Sequence, residues 1–140
     1  MPVFPSRAWA EAAMALVNAD PESVSAARGW RGDFGLVIEA ERGKLEEDFV
    51  AWVRPEGGRV AELRVLVDPD DLDELEPDYR IRAPYSVWKG LLLGSVDPVE
   101  AILKRRLRVD GDVQPILERM RYKDIAARVL GRLETRFIDE

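Results

Sequence analysis

The chain contains neither cysteine nor histidine. Without cysteine there are no disulfides, no thiolate nucleophiles and no thiolate metal sites. Without histidine there are no imidazole ligands, and the side chain most used for proton transfer near neutral pH is missing. Any catalysis would rest on Asp, Glu, Lys, Tyr, Ser or Thr. There is no G-x-S-x-G nucleophile elbow. Neither glycine-rich phosphate loop is present, so no cofactor is expected and the chain reads as a non-enzyme. No apolar run approaches the ~18 residues that span a bilayer. Met1-Pro2-Val3-Phe4-Pro5 lacks the basic and apolar regions of a secretory leader, and Ile138-Asp139-Glu140 is neither a prenylation box nor a peroxisomal address. The expected location is the cytoplasm.

What is present describes a globular chain. Its 140 residues suit one domain over 1–140, with 46% hydrophobic and 34% charged residues. The net charge of −6 excludes nucleic acid as an expected partner, because that affinity depends on neutralising phosphates.

Hydrophobic periodicity predicts the elements. Ser6 to Asn18 carries Trp9, Ala12, Ala13, Leu16 and Val17 at helical spacing. Asp20-Pro21 predicts a capped second helix that stops at Gly29. Strand alternation follows. Phe34, Leu36 and Ile38 share one face, as do Phe49, Ala51 and Val53, then Ala61, Leu63, Val65 and Val67, and later Tyr79, Ile81 and Ala83. A short last strand offers Leu107 and Val109. Glu39, Asp48, Glu62, Arg64, Arg80, Arg82, Arg106 and Arg108 fall on the opposite face. Val50, Trp52 and Leu66 are apolar exceptions there, to be covered by a terminus or a second subunit. Helices are predicted over Pro84 to Leu93, from Asp97-Pro98 to Lys104, after Asp112, and from Asp124 to Phe137. The predicted fold class is α+β: an antiparallel or mixed sheet of about five strands with helices mainly on one face.

The stretch from Trp88-Lys89-Gly90 through Gly94-Ser95-Val96-Asp97-Pro98 to Ala101-Ile102 resembles the sterol carrier protein type 2 family. Leu107-Arg108-Val109-Asp110-Gly111-Asp112 fits that family's last strand, and Val113 to Met120 fits its following helix. The order of elements agrees as well. One departure is Arg105-Arg106-Leu107, where the family usually has Gly-Lys-Leu.

The resemblance implies a non-catalytic carrier of apolar ligands, such as a fatty acid, a fatty acyl group or a sterol-like lipid, held in a tunnel between sheet and helices. The expected lining is Phe34, Leu36, Phe49, Leu63, Val65, Trp88, Leu92, Leu107, Val109, Ile116 and Met120. Periodicity alone leaves an ordinary packed core open, since interiors are normally close-packed. A second reading is an interaction module using Val50, Trp52 and Leu66, with a homodimer as one form. A third is an enzyme built on carboxylates alone.

Two charged clusters have both a plain and a sharp reading. The acidic run Asp68, Asp70, Asp71, Asp73, Glu74, Glu76 and Asp78 lacks the glycine and terminal Glu of a helix-loop-helix calcium loop, so it reads as a solvated loop and no metal is expected. Lys104, Arg105, Arg106 and Arg108 form either a solvated sheet edge or a transient contact with anionic lipid headgroups.

Overall fold

The computed structural model describes all residues, Met1–Glu140. A mixed five-stranded sheet is built from β2 (Phe34–Glu39), β3 (Phe49–Glu56), β4 (Arg59–Leu66), β5 (Tyr79–Pro84) and β6 (Arg108–Asp110), in the order β4-β3-β2-β5-β6. The β2-β3, β3-β4 and β5-β6 pairs are antiparallel, whereas β2 and β5 run parallel. The α+β class and the five strands agree with the sequence reading, and the β2–β5 pair makes the sheet mixed.

The first two helices form where periodicity and the Asp20-Pro21 cap predict. In α1 (Arg7–Ala19), Ser6 Oγ accepts from Trp9 N. In α2 (Pro21–Ala27), the Asp20 carboxylate accepts from Ser23 N, with Pro21 in the first turn where its missing N–H costs nothing. After the sheet's central hairpins come a 3-10 turn (Pro69–Asp71) and a one-turn helix α3 (Leu72–Leu75). The helices α4 (Tyr85–Leu93), α5 (Pro98–Leu103), α6 (Val113–Glu118) and α7 (Arg121–Leu130) follow. Gly94 closes α4 in the left-handed region at φ 79, and Asp97 caps α5 by accepting from Glu100 N.

The register confirms the predicted faces of β2 and β3, since Phe34 lies opposite Val53 and Leu36 opposite Ala51. It corrects β4. A bulge between Arg54 and Pro55 inserts one residue, so Val60 rather than Ala61 turns toward the helices. Ala61 is exposed, and Val67, beyond the strand, is 92% exposed.

The outer face is also corrected. The acidic segment is not simply a solvated loop. It folds back so that Leu72 is buried against Val37, Val50 and Trp52, with Leu66 and Leu75 alongside. Trp52 is 7% exposed, and its indole N–H donates to Asp33 Oδ2 at 2.7 Å. The apolar exceptions on that face are therefore covered from within the chain, and the interaction-module reading loses its surface. The acidic residues point outward because only Leu72 and Leu75 face the sheet.

The last helix ends earlier than predicted. It stops at Gly131, and Arg136–Phe137 forms a strand, β7, parallel to β1 (Val3–Phe4). Phe137 joins Phe4, Ile38, Leu45 and Tyr85 in a buried cluster that ties both termini to the sheet. Burial of that aromatic pair outweighs the helical period, which the sequence carries as far as Leu133.

Candidate functional site

A cavity of about 560 Å³ lies between the inner face of the sheet and the helices. Twenty of its 26 lining residues are hydrophobic. The floor is Leu36 and Ile38 of β2, Phe49, Ala51 and Val53 of β3, and Val60 and Leu63 of β4. The wall on one side is α1, which presents Trp9, Ala10, Ala13, Met14 and Val17 at helical spacing. Opposite stand Trp88, Leu91 and Leu92 of α4 and Ala126, Ala127 and Leu130 of α7.

Burial shows that this face is not packed shut. Along β2, the inner residue Leu36 is only half-buried, while its neighbours Gly35 and Val37 on the outer face are buried. Helix α1 has an apolar face but no buried residue at all. Side chains in a close-packed core would show the reverse, with the inner face the drier one. The outer face is filled by Leu72, whereas the inner face borders open space.

The closed end is held by aromatic packing and by hydrogen bonds that satisfy each indole. Phe4 meets Trp9 edge-on at 4.8 Å between ring centres. Trp9 Nε1 donates to Thr135 Oγ1 at 2.9 Å, and Trp88 Nε1 donates to the Val37 and Ala83 carbonyls, both at 3.1 Å. Tyr85 is fully buried and donates to Asp139 Oδ1 at 2.7 Å. Burial and that carboxylate push the phenol well above its ordinary range, while the phenol hydrogen bond holds Asp139 below the usual carboxylate value.

The mouth is marked by the exposed lining residues Gly94, Asp97, Asp124 and Ala127. Asp97, Lys123 and Asp124 are the only charged groups in the lining. Lys123 Nζ donates to Asp97 Oδ1 at 3.0 Å. The Glu100 N–H and then Lys123 hold the Asp97 carboxyl below its usual value, and Asp97 in turn raises Lys123. The pair is therefore charged at neutral pH and bridges the start of α5 to α7. The rim carries two carboxylates and one ammonium group, so its net charge is negative.

Helix α7 is held in place by polar side chains. Arg128 clasps Asp20 with two hydrogen bonds, Nη1 to Oδ1 at 3.2 Å and Nη2 to Oδ2 at 2.9 Å. The Ser23 and Tyr122 hydroxyls lie 2.7 Å apart. These contacts fasten α7 to α2, leaving its apolar residues over the cavity.

Of the eleven residues expected to line a tunnel, the structure places Leu36, Phe49, Leu63, Trp88 and Leu92 in the cavity wall. The other six lie outside that wall. Phe34 is on the inner face but stacks on Trp30 and Tyr79, at 5.5 and 5.3 Å, beyond the cavity. Val65 pairs with Ala51 yet lies on the edge strand outside the lining. Leu107 is buried with Ala83, Val87 and Ala101 in a separate cluster. Val109 sits on the outermost strand opposite Ile81. Ile116 and Met120 belong to α6 and its end, a half-buried element apart from the cavity, whose place as wall is taken by α7. Inner-face alternation did contain Ile38, Ala51 and Val53, and the α1 stripe contained Trp9, Ala13 and Val17. No pattern in the sequence indicates that α1 and α7 face the sheet.

Residues 13–121 match the SCP-2 sterol transfer family. The fold agrees with solved structures. A crystal structure of sterol carrier protein 2 superposes with a TM-score of 0.73 at 16% identity, covering 92% of this chain and 98% of that one. A conserved hypothetical protein of Thermus thermophilus, described as possibly a sterol carrier protein, gives 0.70 at 17% identity, covering 89% and 87%. The palmitated sterol carrier protein 2-like 2 of Aedes aegypti gives 0.56 at 15% identity, covering 82% and 90%. None of the curated proteins compared with the chain matches it in sequence. The chain therefore belongs to the SCP-2 sterol transfer family, a family of lipid-binding and lipid-transfer domains. No helix is long and apolar enough to cross a membrane.

Proposed function

We infer that this protein is a non-catalytic carrier that holds one apolar ligand in the cavity between the sheet and helices α1, α4 and α7. Half-buried Leu36, Phe49, Val53 and Leu63 on the inner face, beside Val37, Val50 and Trp52 buried under Leu72 on the outer one, carry this reading. A volume of about 560 Å³ lies within the ~300–1,000 Å³ usual for small-molecule sites. The driving force is burial. Each methylene removed from water contributes ~0.8 kcal/mol, so a dozen contribute ~10 kcal/mol before the cost of association. Few polar contacts are needed, and the lining offers few.

The rim refines the class of head group. Lys123 is already engaged by Asp97, and Asp124 adds an unmatched negative charge. Such a rim suits a neutral hydroxyl, which can accept from Lys123 and donate to a carboxylate. It suits a free carboxylate less well.

Native mass spectrometry of protein purified from cells, followed by solvent extraction, tests the reading. The expected result is a reproducible lipid at about one per chain. The reading fails if no lipid is extracted and delipidated protein does not bind a long-chain alcohol at micromolar concentration.

A further inference from the structure

The turn after α5 carries an unusual residue. Arg105 has φ 58, in the left-handed region where a side chain crowds the backbone and where glycine is favoured. The backbone there is fixed. The Arg106 and Leu107 amides both donate to the Ala101 carbonyl, at 2.8 and 3.0 Å, and Leu107 and Ala101 are buried. A strained position is retained when the side chain gains something, so the contacts of Arg105 are informative. It makes no polar side-chain contact within the molecule. Neither Arg105 nor Arg106 forms an ion pair or a side-chain hydrogen bond, whereas Lys104 pairs with Glu100 at 2.6 Å. Arg108, grouped with them in the sequence, is taken up by Glu39.

Beside these two free cations stands Leu103, 70% exposed. Leu103, Lys104, Arg105 and Arg106 are thus four consecutive exposed side chains on a rigid turn, apolar at one end and basic along the rest. Helix α5 links the turn to the cavity rim, since Pro98 lines the cavity and Leu103 ends the helix. Five residues at ~1.5 Å each put the turn about 8 Å along the helix from the mouth. Leu93, 60% exposed, flanks Gly94 on the same rim.

We propose that the Leu103–Arg106 turn docks the cavity mouth onto an anionic phospholipid surface. Cations gain from negative headgroups, and a leucine beside them gains from the acyl boundary. An acidic protein partner would satisfy the arginines but has no use for an exposed Leu103. The rest of the chain is strongly acidic, so repulsion elsewhere orients the contact and keeps it reversible. The proposal concerns the outer surface and stands apart from what the cavity holds.

The test is co-sedimentation with vesicles of phosphatidylcholine, with and without phosphatidylglycerol, at low and high salt. The wild-type protein partitions onto the phosphatidylglycerol vesicles at low salt and is released by salt. Arg105→Gly lowers partitioning roughly fivefold, the value of one cation at such a surface, and melts no lower than the wild type because glycine suits that backbone. Loss of binding in a variant that is no less stable is not a folding defect. Leu103→Ser also weakens binding. Arg59→Gln removes an exposed cation on β4, at the opposite edge of the sheet from β6, and leaves it unchanged. Three results overturn the proposal: no salt-sensitive binding by the wild type, equal losses for Arg59→Gln and Arg105→Gly, or retained binding in both Arg105→Gly and Leu103→Ser. Binding of a long-chain alcohol by the delipidated wild type and by Arg105→Gly separates the two conclusions: absence of binding in both counts against the carrier alone, and equal binding beside lowered vesicle partitioning assigns the loss to the outer surface.

Discussion

Replacing Ala13 with phenylalanine distinguishes a vacant cavity from a tight core by the sign of one number. Ala13 is half-buried on the face of α1 that borders the cavity. In a close-packed interior an added ring forces off-rotamer neighbours and costs ~1–3 kcal/mol. Over a space of about 560 Å³ the ring has room, and burying a phenylalanine contributes ~1.5–3 kcal/mol. Its lower helix propensity takes back ~0.5 kcal/mol. The expected net effect in the ligand-free protein is stabilisation by ~1–2 kcal/mol, read as a higher urea midpoint at unchanged slope. Binding should move the other way. A ring that displaces three or four ligand methylenes removes ~2.4–3.2 kcal/mol, or roughly 60- to 200-fold in Kd. Trp9 and Trp88 line the cavity, so their fluorescence during titration with a long-chain alcohol gives that Kd. Destabilisation by more than ~1 kcal/mol together with unaltered binding would refute the vacant cavity.

Three further outcomes are expected. Leu72→Ala uncovers Val37, Val50 and Trp52, so it should cost ~2–5 kcal/mol and promote self-association on a sizing column; a loss under ~1 kcal/mol with a monomeric profile would show that the outer face needs no cover. At neutral pH a long-chain alcohol should bind about fivefold more tightly than the carboxylate of equal length, the effect of ~1 kcal/mol from one unmatched rim charge, and Asp124→Asn should narrow the gap; tighter binding of the carboxylate would contradict this. Arg128 lowers Asp20, the Ser86 amide lowers Glu41 and the Tyr85 hydroxyl lowers Asp139. Groups depressed on folding stabilise fully above their ordinary values of 3.8 and 4.5 and lose that contribution as pH falls through the folded ones. Tyr85 is raised, so its contribution is complete below 10.0 and disappears at higher pH. The urea midpoint should therefore be flat from about pH 5 to pH 10 and fall on both sides; a steady slope across that plateau would show that other groups govern stability.

Much of the fold was legible because its signals are local. Ser6, Asp20, Asp97 and Asp112 cap helices through their own side chains, and β2 and β3 alternate without interruption. The misreadings come from long-range events. A bulge opposite Arg54 replaces Ala61 with Val60 on the inner face, and strict period two cannot anticipate it. Leu72 reads as one apolar residue in an acidic loop, yet it meets a patch on strands far earlier in the chain. Phe137 pairs with a strand at the other terminus. The cavity was half legible for the same reason. Sheet residues such as Leu36, Phe49 and Leu63 reveal their face by alternation, and Trp88 and Leu92 by the family resemblance. Which helix covers the sheet is decided by the Asp20–Arg128 clasp and the Ser23–Tyr122 contact, pairs 108 and 99 residues apart.

The carrier claim reduces to burial of an alkyl chain in a space of fixed size. Titrating delipidated protein with primary alcohols of increasing chain length measures that directly. Affinity should rise about fourfold per added methylene, the equivalent of ~0.8 kcal/mol, and then level off once the cavity is full. A dissociation constant that does not depend on chain length, or no saturable binding at any length, would contradict the account.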